Sequence, residues 1–152
     1  MLRLPRKTLF ALEAVVDIAY NARPEPVQSK EITRRQGIPQ RYLEQVMQQL
    51  VHAGILRGVR GPRGGYRLAR ERRRITVGEI VRVVGAADAD DALQDADNAG
   101  SELGRKVVRP LWRTMHEEIM QRLDAITIED LCRQADESGV AAETRERMDF
   151  TI

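Results

Sequence analysis

A single cysteine, Cys132, in a chain of 152 residues leaves no partner for an intrachain disulfide. Histidine is nearly as scarce. His52 and His116 lie in helical stretches, and neither has the serine, cysteine or carboxylate neighbourhood of a catalytic triad or metal site. Aromatic residues make up only 4%. No apolar run approaches the roughly 20 residues of a membrane span, and the start, Met-Leu-Arg-Leu-Pro-Arg-Lys, has no apolar signal core. The expectation is a soluble, cytoplasmic, non-enzymatic protein with no membrane partner. A chain of this size buries about 70% of its unfolded surface, so a core can form without a metal or a crosslink.

What is present is charge, unevenly placed. The formal net charge is only +2, yet residues 1–84 carry +10 and residues 85–152 carry −8. A basic half joined to an acidic half is the composition of a nucleic-acid-binding unit attached to a unit with another task.

Hydrophobic periodicity divides the basic half. Leu9, Leu12, Val15, Val16 and Ala19 follow Pro5 at helical spacing, until the stretch Asn21 to Pro26 breaks the pattern. A short helix over 30–36 is predicted, capped by Ser29 and closed by Gly37. Pro39 opens a third helix whose apolar side is Tyr42, Leu43, Val46, Met47 and Leu50, ending at Gly54. The runs 55–60 and 65–69 read as strands, and Gly61-Pro62-Arg63-Gly64 between them demands a turn. Thr76 and Glu79 fit a capping box for a helix to about Val84.

The acidic half reads differently. Residues 85–104 form an acidic loop carrying Asp88, Asp90, Asp91, Asp95, Asp97 and Glu102. Their spacing matches no calcium loop, and no histidine joins them, so no metal site is assigned. Val107, Val108, Leu111, Trp112, Met115, Ile119, Leu123 and Ile126 then repeat at three- and four-residue steps, a stripe needing more cover than one small domain supplies. Thr127 is expected to cap a last helix over 128–137, with a flexible tail over 138–152.

Helix, short helix, helix, hairpin is the order of a winged helix-turn-helix, here mainly α with a small β-hairpin wing. Its third helix enters the major groove, and its wing reaches along the backbone or into the minor groove. Gln40, Arg41, Tyr42, Glu44 and Gln45 fall in the first turns of that helix. Arg41 suits guanine or phosphate, Gln45 adenine and Glu44 the cytosine amino group, each good pairing discriminating by about 1–3 kcal/mol. Arg60, Gly61 and Arg63 form the wing turn, flanked by Arg57 and Arg67.

Several segments then resemble the Rrf-two family of bacterial transcription regulators: 9–12, 38–45, 50–56, the wing Val59-Arg-Gly-Pro-Arg-Gly-Gly-Tyr-Arg-Leu68, and 75–80. Arg109-Pro-Leu-Trp112 and the run 124–131 extend the resemblance over about residues 1–132. With it the chain divides into 1–84 (winged helix-turn-helix DNA-binding domain), 85–104 (acidic loop), 105–137 (dimerisation helix and short following helix) and 138–152 (flexible tail). It further implies a homodimer through Val108, Leu111, Trp112, Met115, Ile119 and Leu123, reading a palindromic operator in double-stranded DNA. DNA contacts carry over to Gln40, Arg41, Tyr42, Glu44, Gln45, Arg60, Gly61 and Arg63, and phosphate contacts to Lys7 and Thr8.

The chain departs from its relatives in the loop. Cluster-binding members hold three cysteines there; residues 85–104 hold none, so no iron–sulfur cluster or other cofactor is expected. Other relatives use one cysteine as an oxidation sensor, which makes Cys132 a redox candidate if its thiol is exposed and acidic. The tail resembles a third recognition element: Asp149-Phe150-Thr151-Ile152 is similar to the isoleucine-ending peptide by which serine acetyltransferases enter cysteine synthase. The implied reading is a homodimeric repressor of cysteine metabolism that uses cysteine synthase as its partner. The alternatives are a winged adaptor that docks on that enzyme without reading DNA, and a thiol-based regulator.

Overall fold

The computed structural model describes residues 4–85 and 100–143. The chain is mainly helical with one antiparallel hairpin, as expected for a winged helix. Helix α1 spans Arg6–Tyr20, with Pro5 at its N-cap. Its buried face is Ala11, Ala14, Val15, Ile18 and Ala19, while Leu9 of the expected stripe stays exposed. Alanine at three core positions lets a neighbouring helix approach closely, and α3 packs against α1.

Helix α2 spans Ser29–Gln36. The cap falls one residue earlier than expected: the Glu31 carboxylate accepts the Gln28 backbone N–H at 2.8 Å, so Ser29 is already helical. Gly37, at φ +67°, supplies the left-handed residue that turns the chain into α3, Gln40–His52. Leu43, Val46, Met47 and Leu50 are fully buried at a helical period, which commits one face of α3 to the core and leaves the other outside.

Strands β1 (Leu56–Val59) and β2 (Gly65–Leu68) pair antiparallel with Leu56 opposite Leu68 and Val59 opposite Gly65. Val27, from the α1–α2 loop, bridges to Tyr66 and extends the hairpin by one rung. Gly65 is required there, because a Cβ would lie 2.4 Å from the Val27 carbonyl oxygen. A 3₁₀ turn at Arg72–Arg74 leads to helix α4, which occupies 77 to at least 85. Thr76 Oγ1 accepts the Glu79 N–H at 3.1 Å, but Arg70 takes the Glu79 carboxylate, so half of the predicted capping box is replaced by an ion pair.

A π-helical turn, Gly104–Val108, runs into α5, Arg109–Asp124, and α6 follows at Ile128–Glu137. Thr127 caps α6 as expected: its Oγ1 accepts the Asp130 N–H at 3.1 Å, and the Asp130 carboxylate accepts the Thr127 N–H at 2.9 Å. Ile128 and Cys132 join the same core as α1, α3 and the hairpin. So α6, the short helix expected after the long one, folds back onto the winged unit. Residues 138–143 differ from the flexible tail expected there. Ala142 is buried, and the Tyr20 hydroxyl donates to the Val140 carbonyl. Most of the acidic loop (86–99) and the tail residues Asp149, Phe150, Thr151 and Ile152 lie outside the described residues.

Candidate nucleic-acid interface

The outward face of α3 carries Gln40, Arg41, Tyr42, Glu44 and Gln45, all exposed. Polar contacts order this row. The Thr33 hydroxyl lies 3.1 Å from Gln40 Oε1, and Gln40 Nε2 donates to Glu44 Oε1 at 3.2 Å. Tyr42 meets Phe10 of α1 in a tilted pair with centroids 6.0 Å apart, and the Arg41 guanidinium sits 5.6 Å from the Tyr42 ring centre. The ring thus steadies Arg41 while both remain available to a ligand.

At the wing, Arg60, Gly61 and Arg63 are exposed at the hairpin tip. Gly61 adopts φ +116°, and a Cβ on Gly64 would fall 2.2 Å from the Val59 carbonyl oxygen, so the tip closes only with glycine at both places. Opposite the wing lies the start of α2, and the cleft between them is lined by Ser29, Lys30, Arg60 and Pro62. Lys30 is exposed. Sequence reasoning passed over this lysine, whose only signal was its place in the first turn of the helix before the reading helix.

Two expected contributors stand elsewhere. Thr8 is only 2% exposed, so its hydroxyl is not on the surface for a phosphate; half-buried Lys7 is the residue of that pair with access. Arg67 does not flank the wing freely: its guanidinium donates to the backbone carbonyls of Arg23 and Pro24 and fastens β2 to the α1–α2 loop.

The stripe on α5 is largely uncovered. Leu111, Trp112, Met115 and Ile119 of α5 and Val108 of the preceding π-turn are exposed, Trp112 at 54%, and Leu123 is half-buried; Met120, off the stripe, is the one buried residue of α5. The base of α5 is fixed to α4, where Arg82 grips the Asp124 carboxylate, at 2.7 Å for one of two bonds, and holds it below the usual range. Gly78 permits this contact, since a Cβ there would collide with the Asp124 side chain.

Cys132 is 4% exposed, and burial pushes its thiol above the ordinary value, against the opposing pull of Arg72. That is the reverse of the acidic, accessible thiol a sensor needs. Among the described residues no group of three or more His, Cys, Asp or Glu could hold a metal ion. A cysteine-ligated iron–sulfur cluster also does not fit the donor set, because the chain offers one thiol and that one lies in the core. No helix among the described residues is long and apolar enough to cross a membrane.

Residues 4–134 match the Rrf2 family, described as an iron-dependent transcriptional regulator. The chain is 36% identical over 141 residues to the HTH-type transcriptional regulator IscR of Xenorhabdus nematophila, covering 92% of this chain and 85% of that one. It is 34% identical over 152 residues to IscR of Vibrio atlanticus, covering 99% and 86%. The structure of T. potens IscR superposes with a TM-score of 0.74 at 32% identity, covering 95% of this chain and 96% of the other. That of CymR, the global cysteine regulator of B. subtilis, gives 0.68 at 27%, covering 88% and 98%. These relatives are regulators, not enzymes. The chain belongs to the Rrf2 family of winged-helix, DNA-binding transcriptional regulators.

Proposed function

We propose that the protein is a homodimeric repressor that reads a palindromic operator. The uncovered apolar face of α5 and of the turn before it carries this reading: Val108, Leu111, Trp112, Met115 and Ile119 form a stripe that a second copy, crossing along its length, would remove from water. Two-fold pairing then sets two copies of α3 and the wing in successive major grooves, about one helical turn apart. On each half-site Gln40, Arg41, Glu44 and Gln45 meet base edges, Tyr42 braces Arg41, and Arg60, Gly61, Arg63 and Lys7 follow the backbone. Lys30 joins them from the start of α2.

The signal is assigned to a protein partner rather than to a cofactor. Asp149, Phe150, Thr151 and Ile152 would enter the substrate site of cysteine synthase, with O-acetylserine competing for that site. The similarity to CymR, the global cysteine regulator of B. subtilis, supports this choice of regulon. Calorimetry of the protein against cysteine synthase, with and without O-acetylserine, tests the assignment. Heat of binding that O-acetylserine abolishes supports it, and persistence of the complex after deletion of Thr151 and Ile152 disposes of it. Sedimentation tests the dimer: the native chain should run as a dimer, and Trp112→Asp should shift it to monomer.

A further inference from the structure

The segment following α6 meets, at Glu143, an ion-pair network that reaches into the winged unit. Asp17 of α1 has a fully buried side chain, and Arg35 of α2 grips it through two bonds of 2.7 and 2.8 Å, with Gln36 Nε2 adding a third at 2.7 Å. Arg23, in the α1–α2 loop, pairs with Glu31 at 2.6 Å. Glu143 joins the two halves. Its carboxylate lies 2.8 Å from Arg35, 2.5 Å from Arg34 and 3.5 Å from Arg23, and its backbone N–H donates to Asn21 Oδ1 at 3.0 Å. Three guanidiniums meet three carboxylates, so the cluster is balanced only while Glu143 is in place.

The loop that Glu143 holds is also the support of the wing. Val27 and Tyr66 exchange backbone bonds of 3.0 and 2.8 Å, and Arg67 binds the carbonyls of Arg23 and Pro24. Between Tyr20 and Ser29 this stretch has no helix or strand of its own, so its shape depends on those attachments. Removing one carboxylate leaves Arg23 and Arg35 facing each other with a surplus positive charge, half-buried where water screens it poorly.

We propose that Glu143 is a positioning residue for DNA recognition, through which the segment 138–143 sets the wing relative to α2 and α3. This rests on the family's DNA-reading role. Base contacts tolerate little displacement, whereas attraction between cationic side chains and phosphates is long-ranged and forgiving. A disturbed network therefore costs specific binding more than non-specific binding. Linkage makes the effect reciprocal: an operator that favours the aligned wing must also favour the docked Glu143.

The test begins by selecting an operator from a random duplex library with the native chain, followed by anisotropy titrations on that duplex and a scrambled one. Glu143→Ala is expected to weaken operator binding about tenfold and scrambled binding less than twofold, with Glu143→Asp recovering part of the loss. A merely structural defect would lower the active fraction and affect both duplexes alike. An unchanged operator-to-scrambled ratio in Glu143→Ala overturns the positioning role alone. A native chain that enriches no sequence overturns the recognition reading and this role with it. Should Glu143→Ala fail to fold, hydrogen exchange on the native chain decides. The amides of Val27, Tyr66 and Glu143 should exchange more slowly with operator than with scrambled duplex, and equal rates overturn the proposal.

Discussion

At the scale of single residues, the outward face of α3 follows from exclusion. Once Leu43, Val46, Met47 and Leu50 are committed to the core, Gln40, Arg41, Glu44 and Gln45 have only solvent or a ligand to face. That much is legible in the order of residues, because apolar period alone fixes which side of α3 is out. Thr8 and Arg67 are not legible. Each resembles its exposed neighbours in type, and its position is decided by α1 packing or by carbonyls 44 and 43 residues away. Glu143 is less visible still, since its partners Asn21, Arg23, Arg34 and Arg35 lie more than a hundred residues earlier. The wing arginines make the most direct single-residue prediction. Replacing Arg60 and Arg63 together by alanine should weaken DNA binding and reduce the slope of log K against log salt by about two, one for each phosphate contact removed, with the dimer unchanged. An unaltered slope would remove the wing from the interface. Gly65→Ala should destabilise the fold by about 1–3 kcal/mol, because its Cβ meets the Val27 carbonyl, and thermal melting reads this directly.

At the scale of elements, caps and turns were the most readable features, since their chemistry is local. Thr127 and Asp130 form the expected box, whereas Ser29 yields to Gln28 and Glu31 by one residue, a shift within the range over which helix ends are interchangeable. The Thr127 N–H and hydroxyl hold the Asp130 carboxyl below the usual carboxylate range. A folded value below the unfolded one means that Asp130 contributes stability above the unfolded value, and loses it as pH falls through the folded one. Melting temperature should therefore decline on acidification below about pH 4, and Asp130→Asn should make that decline shallower. Parallel curves for the two proteins would contradict the cap's electrostatic role. Thr127→Ala should cost about 1 kcal/mol through the same cap. The location of α6 is not legible. Its pattern fits any amphipathic helix, and its place against α1 is set by Ile128 and Cys132 fitting the core.

At the scale of the whole molecule, the chain combines a closed winged unit with an arm that is apolar on the outside. The division of charge in the sequence, +10 before −8, anticipates the first, and the stripe from Val107 to Ile126 anticipates the second. The absence of cysteine from residues 85–104 separates the chain chemically from a cluster-dependent sensor while leaving the DNA-reading apparatus intact. The proposed dimer links pairing to reading: Trp112→Asp, made on α5 far from α3 in sequence, should lower operator affinity by tenfold or more, because a lone winged unit keeps half the contacts. Hydroxyl-radical footprinting of the native protein on its selected duplex tests the central claim most directly. Two protected backbone windows related by a two-fold axis and about one helical turn apart are predicted, each lost when Arg60 and Arg63 are replaced. A single window, or protection indifferent to those arginines, would contradict it.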